Sequence, residues 1–443
     1  MNSFFRGALP LIVAAFFSEC VEFFVNMILA RELQEDGMGL YMSILPIIFL
    51  IIVIASFELP VSISKFIAEN TRELHYHFLR HALKLATIVM FFTFILTMIV
   101  LSFPTFLNGF HPYVRWLIIS LIPIVTCSSI ARGYFIGVQQ MGKIAISNFL
   151  RKVIQFGTLF LIFNYFHLFD QSTSLLIALG ALIGSELIVF LYLISLFIMQ
   201  IQTMKSATNS MVSGKHALQK LLEVSLPTTI LRIFHAITNA IQPFLIQSAL
   251  MTSGFGAVMA MEHFGMLTGV AMTIGFFPAF IAHSLMIMLI PNVADANAKN
   301  DHAKLRNLLQ LTMSFTMIYG VLAVIFMYVF AEPLTSLFFS STSAALYLKL
   351  LCPYFLFHFF VIPMQAYLIG LGLIKDTFFH TVWSHIISFS MMYFLGAQPA
   401  LNMQGIIIGM NTGAVLLAFM HYVTICKKTG ITLWLKEHRL NVF

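Results

Sequence analysis

Long runs of apolar residues follow one another along almost the whole chain. Each approaches or exceeds the length of about 20 residues that a helix needs to cross the hydrocarbon core of a bilayer. The runs are continuous rather than alternating, and the bilayer interior leaves backbone polar groups to find partners within their own segment, which favours helices over barrel strands. The sequence therefore predicts an all-α polytopic membrane protein. Its twelve predicted spans lie near residues 8–29, 39–57, 82–106, 114–137, 144–166, 174–199, 221–246, 264–290, 306–330, 346–370, 377–397 and 403–426.

The polar remainder of the chain is too small for a separate catalytic domain. Charged residues make up 9% of the sequence, whereas an ordinary soluble domain carries about 25%. The sequence has no GxxxxGK[ST], HExxH or GxSxG motif, each of which would bring phosphate-binding or catalytic groups together. The four dispersed cysteines and the spacing of His75, His77 and His81 match no metal site. We therefore predict a protein that is not an enzyme and has no metal, cofactor or nucleic-acid partner.

Basic residues are distributed very unevenly over the two faces that twelve spans define. Twenty of the 24 lysines and arginines fall in segments on the side of the N-terminus. The opposite side has only Arg31, Arg115 and Lys349, while Arg232 lies within a span. Loops rich in Lys and Arg face the cytoplasm, and one span more or fewer would invert every later loop. We predict a multi-pass protein of the cell membrane with both termini in the cytoplasm.

The longest polar connection divides the twelve spans into two groups of six. It covers residues 201–220 and reads as a cytoplasmic linker between two lobes. The predicted organisation is an N-terminal six-helix lobe over residues 1–200, this linker, a C-terminal six-helix lobe over residues 221–426, and a cytoplasmic tail over residues 427–443.

Prolines fall at comparable places in the two halves. Pro46 and Pro60 lie in or near the second span, and Pro278 and Pro291 lie in the eighth. This placement is typical of broken helices beside a transport site. Membrane helices also tolerate proline without a functional role, so both interpretations stay open at this point.

Gly405, Gly409 and Gly413 recur at every fourth position in the last span. Small residues at this spacing allow two helix backbones to approach closely. We expect this face to pack against a neighbouring helix and to have no direct functional role.

Polar side chains form matching stripes on the opening helices of the two halves. Each stripe has the spacing i, i+3, i+7, which places its members on one helical face. The two stripes are 213 residues apart, and one is acidic where the other is basic. Ionisable groups at membrane depth are costly and mark substrate or ion pathways. The stripes are Glu19, Glu22 and Asn26 in the first span and Arg232, His235 and Asn239 in the seventh.

We interpret the two stripes as walls of a cavity. The hypothesis is that Arg232 approaches Glu19 or Glu22 in one conformational state and that substrate or protons compete for this contact. The alternative is a static ion pair that joins two helices.

Three further residues could belong to the substrate or ion pathway. His235 could relay protons near neutral pH or could simply be a contact between helices. Glu186, in the sixth span, could be a second protonatable site or a carboxylate bonded to a neighbour. Lys65 could contact a phosphate group or could anchor the cytoplasmic end of the second span.

Several blocks of sequence are distinctive together and extend over most of the chain. They are GAL to ILAR (7–31), GMGLY (37–41), LPVSISK (59–65), RGYFIG (132–137) and FGMLTG to LIPNV (264–293). In these blocks the chain resembles the stage V sporulation protein B family. That family belongs to the multidrug/oligosaccharidyl-lipid/polysaccharide (MOP) exporter superfamily, which also contains the MATE transporters.

The resemblance implies two six-helix lobes, alternating access, and a flippase for an undecaprenyl-linked peptidoglycan or polysaccharide precursor, with a use in spore envelope formation. The implied partners are this lipid-linked saccharide and membrane lipids, with envelope synthesis enzymes as further candidates. The chain looks like a shorter twelve-span paralogue of the fourteen-span flippases. It departs from them at Glu19 and Val25, where basic residues that meet the lipid pyrophosphate are common.

Two other functions remain open at the level of sequence. Glu19 and Glu22 would suit a multidrug-type antiporter of cationic compounds. A membrane scaffold that recruits envelope synthesis enzymes without transport is the third interpretation.

The predicted topology is testable with reporter fusions. A fluorescent protein fused after Lys299 should fluoresce, because that loop is predicted to be cytoplasmic. Alkaline phosphatase fused after Ser253 should be active, because that loop is predicted to lie outside. The opposite pattern of activities at both sites would contradict the predicted orientation.

Overall fold

The computed structural model describes residues 2–103, 110–165, 170–205, 214–339 and 342–430. Within these ranges the regular secondary structure is entirely helical. A π-helical turn, Met266–Ala271, joins the eighth and ninth helices. The α-helices are α1 (Asn2–Ser56), α2 (Leu59–Glu69), α3 (Arg72–Val100), α4 (Val114–Gly137), α5 (Met141–Tyr165), α6 (Gln171–Lys205), α7 (Gly214–Thr252), α8 (Ala257–Gly265), α9 (Met272–Phe276), α10 (Ala279–Ala298), α11 (His302–Val329), α12 (Ala331–Ser336), α13 (Thr342–Leu350), α14 (Cys352–Gly370), α15 (Ile374–Gly396) and α16 (Asn402–Thr429).

Each predicted apolar run coincides with one helix or with helices joined at a break. In the described part of the chain, eleven helices are long and apolar enough to cross a membrane. One of them covers the first two predicted spans from Ala15 onward, and two of them fall in the eighth. The helix over the eleventh predicted span, α15, is not apolar enough to be among them. Large apolar side chains such as Phe91, Phe394 and Phe419 are more than half exposed, as expected of a protein whose outer solvent is lipid. The prediction of an all-α polytopic membrane protein is confirmed.

The helical structure of the second predicted span continues beyond a break into a further helix. α1 kinks at Gln34 (φ 60°), between the first two predicted spans. The chain then adopts left-handed backbone angles at Phe57 and Glu58 (φ 46° and 45°) and resumes as α2. Pro60 lies in the first turn of α2, where its missing N–H costs nothing. The predicted end at residue 57 coincides with this break, and helical structure resumes beyond it as α2.

The eighth predicted span is also broken. The π-helical turn interrupts its first part, and a second break at Pro278 separates α9 from α10. Pro60 and Pro278 thus lie at helix breaks, whereas Pro46 and Pro291 lie inside helices. Of the two interpretations of these prolines, the broken helix holds for one proline in each half.

The helices reach into the segment predicted as a linker. α6 ends at Lys205 and α7 begins at Gly214, while residues 206–213 lie outside the described residues. The last helix reaches Thr429, which shortens the predicted tail at its start, and residues 431–443 again lie outside the described part.

Contacts between helices divide the chain into two compact units. The N-terminal unit consists of residues 40–241, and the C-terminal unit consists of residues 1–39 together with residues 242–443. This grouping differs from the predicted lobes, because most of the first span joins the second half of the chain and much of the seventh joins the first half. The prediction that residues 201–220 link two functional lobes stays a prediction.

Side-chain contacts explain the grouping within each unit. In the C-terminal unit, the ring of Phe16 lies 5.6 Å from that of Phe280, and the ring of Phe23 lies 5.6 Å from that of Phe277. These edge-to-face contacts attach the first half of α1 to the α9–α10 break. In the N-terminal unit, α7 is bonded to the α1–α2 break, as described below.

Each unit has its own apolar core. In the N-terminal unit, buried residues of α2, α3, α4, α6 and α7 pack around the stacked rings of Phe66 and Phe78. In the C-terminal unit, α10, α11, α14 and α16 form a core that contains Leu289, Leu309 and Tyr367. Each unit is therefore a group of helices packed around a core of its own.

The glycine face of α16 packs directly on α15. A Cβ atom on Gly409 would lie 2.6 Å from the backbone nitrogen of Met392. The Ser388 hydroxyl donates to the carbonyl of Gly409 (2.9 Å), and the Ser384 hydroxyl donates to the carbonyl of Gly413 (2.7 Å). The close packing expected from the glycine spacing is observed.

Replacing Gly409 with alanine should destabilise the protein. The added methyl group would overlap backbone atoms of α15, and overpacking of this kind costs about 1–3 kcal/mol. A Cβ atom on Gly184 of α6 would have no neighbour within 4 Å, so G184A is the matched control. Thermal unfolding in detergent should show a lower midpoint for G409A and an unchanged or higher midpoint for G184A. Equal midpoints for the two variants would show that the α15–α16 contact is not tight.

Candidate functional site

A charged pair lies at the α1–α2 break of the N-terminal unit. The Arg232 guanidinium of α7 donates from Nη1 to Oε1 of Glu58 at 2.6 Å. The Glu58 side chain is 6% exposed, whereas that of Arg232 is 51% exposed. The guanidinium also lies over the ring of Phe49, 5.9 Å from its centroid, at a distance where a cation–π contact adds stabilisation. The pair thus joins a buried carboxylate to a cation that remains accessible on one side.

Backbone geometry places Glu58 in this position. The left-handed turn at Phe57 and Glu58 interrupts the span and turns the carboxylate toward α7. A second contact, from the Ser225 hydroxyl to the Ser62 hydroxyl at 2.7 Å, joins α7 to α2. Both residues of this contact are buried, so α7 is bonded to both sides of the break.

The sequence analysis did not single out Glu58. It placed the acid just beyond the end of the second span, at the start of a cytoplasmic connection. A usable signal was present, because Glu58 stands between two apolar stretches and two residues before Pro60. An acid beside a helix-breaking proline inside apolar sequence indicates a polar site within the membrane.

A second charged cluster joins α4, α5 and α6 of the N-terminal unit. The Arg151 guanidinium of α5 donates to Oε1 of Glu186 in α6 at 2.8 Å. The Arg132 guanidinium of α4 donates to the amide oxygen of Asn148 in α5 at 2.9 Å and lies within electrostatic range of Glu186 and Arg151. One guanidinium group is thus bonded to the carboxylate and the second acts on it only electrostatically, and we call these four residues the α4–α6 cluster.

The structure shows bonding partners for two residues that were predicted from the sequence, Glu186 and Arg232. Glu186 is bonded to a neighbour, Arg151, and its role as a protonatable site stays a prediction. Arg232 is bonded to Glu58 in this structure. Its approach to Glu19 or Glu22 in another state stays a prediction.

The other predicted pathway residues lie in several parts of the fold. Glu19, Glu22 and Asn26 are half-buried on α1 of the C-terminal unit. His235 is half-buried and Asn239 is exposed on α7, in the N-terminal unit, and Lys65 is exposed on α2. The structure thus assigns the acidic stripe and the basic stripe to different units. Glu19 lies within electrostatic range of His283 in α10.

Among the described residues, no group of three or more His, Cys, Asp or Glu side chains is arranged to hold a metal ion. The acids described above, Glu58 and Glu186, instead form ion pairs with arginines. Apolar helices that break beside charged groups are typical of membrane transporters.

The comparison with protein families agrees with this class. The model of the polysaccharide biosynthesis protein family matches residues 4–291, well over half of the chain. The chain belongs to this family.

Two relatives from Bacillus subtilis (strain 168) match along almost the whole chain. Sporulation protein YkvU is 52% identical over 435 residues, which span 98% of this chain and 98% of the relative. Stage V sporulation protein B is 29% identical over 449 residues, spanning 99% of this chain and 87% of the relative. The resemblance predicted from the sequence blocks is confirmed.

Solved structures of MOP transporters share the fold. An inward-facing multidrug resistance MATE family transporter of the MOP superfamily superimposes with a TM-score of 0.75 at 15% identity, over 93% of this chain and 94% of the other. A MOP superfamily transporter from Pyrococcus furiosus gives a TM-score of 0.65 at 14% identity, over 96% of each chain. These likenesses establish a MATE-like transporter fold.

The unequal burial of the Glu58–Arg232 pair predicts unequal effects of its two members. R232M leaves a buried carboxylate without a counter-charge, and breaking a buried pair in this way costs about 3–5 kcal/mol. E58Q leaves only a half-exposed guanidinium without its partner, so it should cost clearly less. Thermal unfolding of both variants and of the double variant forms a double-mutant cycle.

The double variant should be more stable than R232M alone, because it removes the unpaired charge. The control is K220M, since Lys220 forms an exposed pair with Glu223 of the kind that contributes little. Strictly additive effects of E58Q and R232M would show that the two side chains are not energetically coupled.

Proposed function

We propose that the protein is a flippase that moves a lipid-linked saccharide precursor from the inner to the outer leaflet of the cell membrane. The carrier would be undecaprenyl, joined through phosphate groups to a peptidoglycan or polysaccharide precursor. Membership in the polysaccharide biosynthesis family supports this substrate class. The names of the two relatives support a use in sporulation, and spore envelope formation is the use that we propose.

The observation that carries the proposal is the charge of the α4–α6 cluster. Arg132 and Arg151 face one carboxylate, Glu186, so the cluster carries net positive charge among apolar helices. A cation packed among apolar helices is costly unless a partner compensates it. A phosphate or pyrophosphate group would supply the missing negative charge, and arginine binds such groups through parallel hydrogen bonds.

The two arginines would have different roles in binding. Arg151 is held by an ionised partner, which keeps it in place before the substrate arrives. Arg132 is held by the neutral amide of Asn148. Hydrogen bonds between ions are stronger than those to neutral groups, so Arg132 would exchange its amide partner for a phosphate oxygen.

This assignment accounts for the acidic first helix. The fourteen-span flippases that the chain resembles commonly place arginine there, and this chain has Glu19. Arg232 carries little net charge to replace that arginine, because Glu58 neutralises it. We propose that the α4–α6 cluster meets the anionic head group, with Arg232, His235, Asn239 and Lys65 as further polar groups along the pathway.

A cation antiporter is the second candidate. It rests on Glu19 and Glu22, which are half-buried on one face of α1 and would attract a cationic compound. The sign of the transported charge distinguishes the candidates, because a flippase requires the arginines and a cation antiporter requires the acids.

The test uses the full chain in proteoliposomes that contain a fluorescent undecaprenyl-pyrophosphate saccharide. Accessibility of the saccharide to an external reagent reports movement between the leaflets. The R132Q/R151Q variant should reduce the initial rate about tenfold or more, since each charge-assisted bond contributes about 1.5–3 kcal/mol. R80Q removes an exposed charge from α3 and should keep the rate within about twofold.

Other outcomes would overturn the proposal. Uptake of a cationic dye that requires Glu19 and Glu22 but not Arg132 and Arg151 would favour the cation antiporter. Failure to move either cargo, with normal folding, would favour a membrane scaffold.

A further inference from the structure

Histidines are concentrated in the helices of the C-terminal unit. Five of the 15 histidines of the chain occur on four helices there, at membrane depth. Neither polar stripe of the sequence analysis includes them, and the proposed binding of a phosphate group does not use them. They are His283 on α10, His358 on α14, His380 and His385 on α15, and His421 on α16.

Two of these rings share a hydrogen bond. Nδ1 of His380 lies 2.9 Å from Nδ1 of His421, and Nε2 of His380 lies 3.1 Å from the hydroxyl of Thr424. His421 is fully buried, and its Nε2 atom has no hydrogen-bond partner. A buried nitrogen without a partner is costly and needs a reason.

The geometry limits this pair to one additional proton. A bond between two Nδ1 atoms requires a hydrogen on one of them and a lone pair on the other. The neutral pair holds two protons on four nitrogens, and a third can be added at an Nε2 atom without breaking the bond. A fourth would place hydrogens on both Nδ1 atoms and separate the rings. The pair therefore has a capacity of one extra proton.

A polar cavity lies beside α15, further from the start of that helix than His380. It has a volume of about 100 Å³, is lined by His358 and His385 together with Tyr354, Gln242 and Ser384, and is large enough for water molecules. Nδ1 of His385 lies 2.8 Å from the carbonyl oxygen of Thr381. Because a carbonyl only accepts, Nδ1 carries the hydrogen, and Nε2 keeps a lone pair that can take up a proton.

The His380–His421 pair and the cavity lined by His358 and His385 follow one another along α15. His380 lies about 9 Å and His385 about 16 Å from the start of that helix, at 1.5 Å per residue. Ile374 at that start is followed by Lys375, which the charge distribution places on the cytoplasmic side. A bilayer core is about 30 Å thick, so the histidines lead from one surface toward the middle.

Charged and titratable groups on α15 and the adjoining helices act electrostatically on these histidines. Asp376 of α15 acts electrostatically on His380. His283 of α10 acts on His358, and Glu19 of α1 acts on His283. The carboxylates of Asp376 and Glu19 thus lower the cost of a positive charge on His380 and His283. A positive charge on His283 or His385 instead raises the cost of a second one on His358.

We propose that these histidines form a proton-binding site, in which the His380–His421 pair takes up one proton and the His358–His385 cavity passes it toward the middle of the membrane. Proton transfer from water to an imidazole breaks an O–H bond and forms an N–H bond, release to water does the reverse, and transfer between two imidazoles exchanges one N–H bond for another. The site would couple transport to a proton gradient. Proton binding stands independently of the proposed flippase function, whereas the coupling rests on it.

The first experiment measures protonation directly. The full chain is labelled with ¹⁵N-histidine in nanodiscs, and the ring nitrogen signals are followed between about pH 8 and pH 5, the range in which histidine normally changes charge. H421N and H385Q assign the signals by their loss. We expect one proton taken up by the His380–His421 pair as the pH falls. H302Q, which removes an exposed histidine at the start of α11, should leave this titration unchanged.

Two results would overturn the site. Rings that remain neutral over the whole range would exclude proton uptake by the pair. If the titration step expected of the pair persists in a folded H380N/H421N variant, that step belongs to other histidines.

The second experiment tests the coupling in the leaflet assay. With one proton per substrate, a gradient of one pH unit should shift the ratio of substrate between the leaflets about tenfold. H380Q/H385Q should hold this ratio near one, and H302Q should respond as the unmodified chain does. Movement of the lipid without any effect of the gradient would overturn the coupling. Proton uptake without any movement of the lipid would instead overturn the flippase function and leave the proton site supported.

Discussion

The central constraint on this structure is that a charged group among apolar helices must find a partner. The Glu58–Arg232 pair shows how the chain meets it, since the break between α1 and α2 places a buried carboxylate within 2.6 Å of a guanidinium on α7. A regular helix through residues 57 and 58 would not have the left-handed turn that brings the acid there. The break, the bond to α7 and the grouping of α7 with the N-terminal unit therefore depend on one another.

The overall fold was largely predictable from sequence because lipid imposes a simple rule on it. Continuous apolar runs of about 20 residues can only become helices in a bilayer, and each predicted run is mainly helical within the residues that the structure describes. The glycine spacing at Gly405, Gly409 and Gly413 likewise has a local cause, and it produced the expected contact with α15. What hydropathy could not resolve were the interruptions, because the left-handed turn at Phe57 and Glu58 joins α1 directly to another helix, α2.

The candidate site was less predictable because partners distant in sequence define it. Arg232 and Glu186 were identified from the cost of charge at membrane depth. Their partners, Glu58 and Arg151, were not, since one lay beyond the predicted end of a span and the other had been assigned to a cytoplasmic loop. Only the packing of α5 against α6 brings Arg151 to Glu186. The histidines were overlooked for the same reason, because each is isolated in the sequence and the bond between His380 and His421 spans two helices.

The polar groups of the two units differ in chemistry. The N-terminal unit holds arginines in excess of carboxylates in its α4–α6 cluster, which suits an anionic head group. The C-terminal unit holds histidines and the acidic stripe of α1, which suit protons or other cations. The account thus assigns substrate recognition and coupling to different helices of one transporter.

The most direct test of the flippase proposal is a cryo-electron microscopy structure of the full chain in nanodiscs with an undecaprenyl-pyrophosphate saccharide bound. The account predicts pyrophosphate density within hydrogen-bond distance of the guanidinium groups of Arg132 and Arg151, with Glu186 still bonded to Arg151. Head-group density bound elsewhere, with the α4–α6 cluster unchanged and unoccupied, would contradict it.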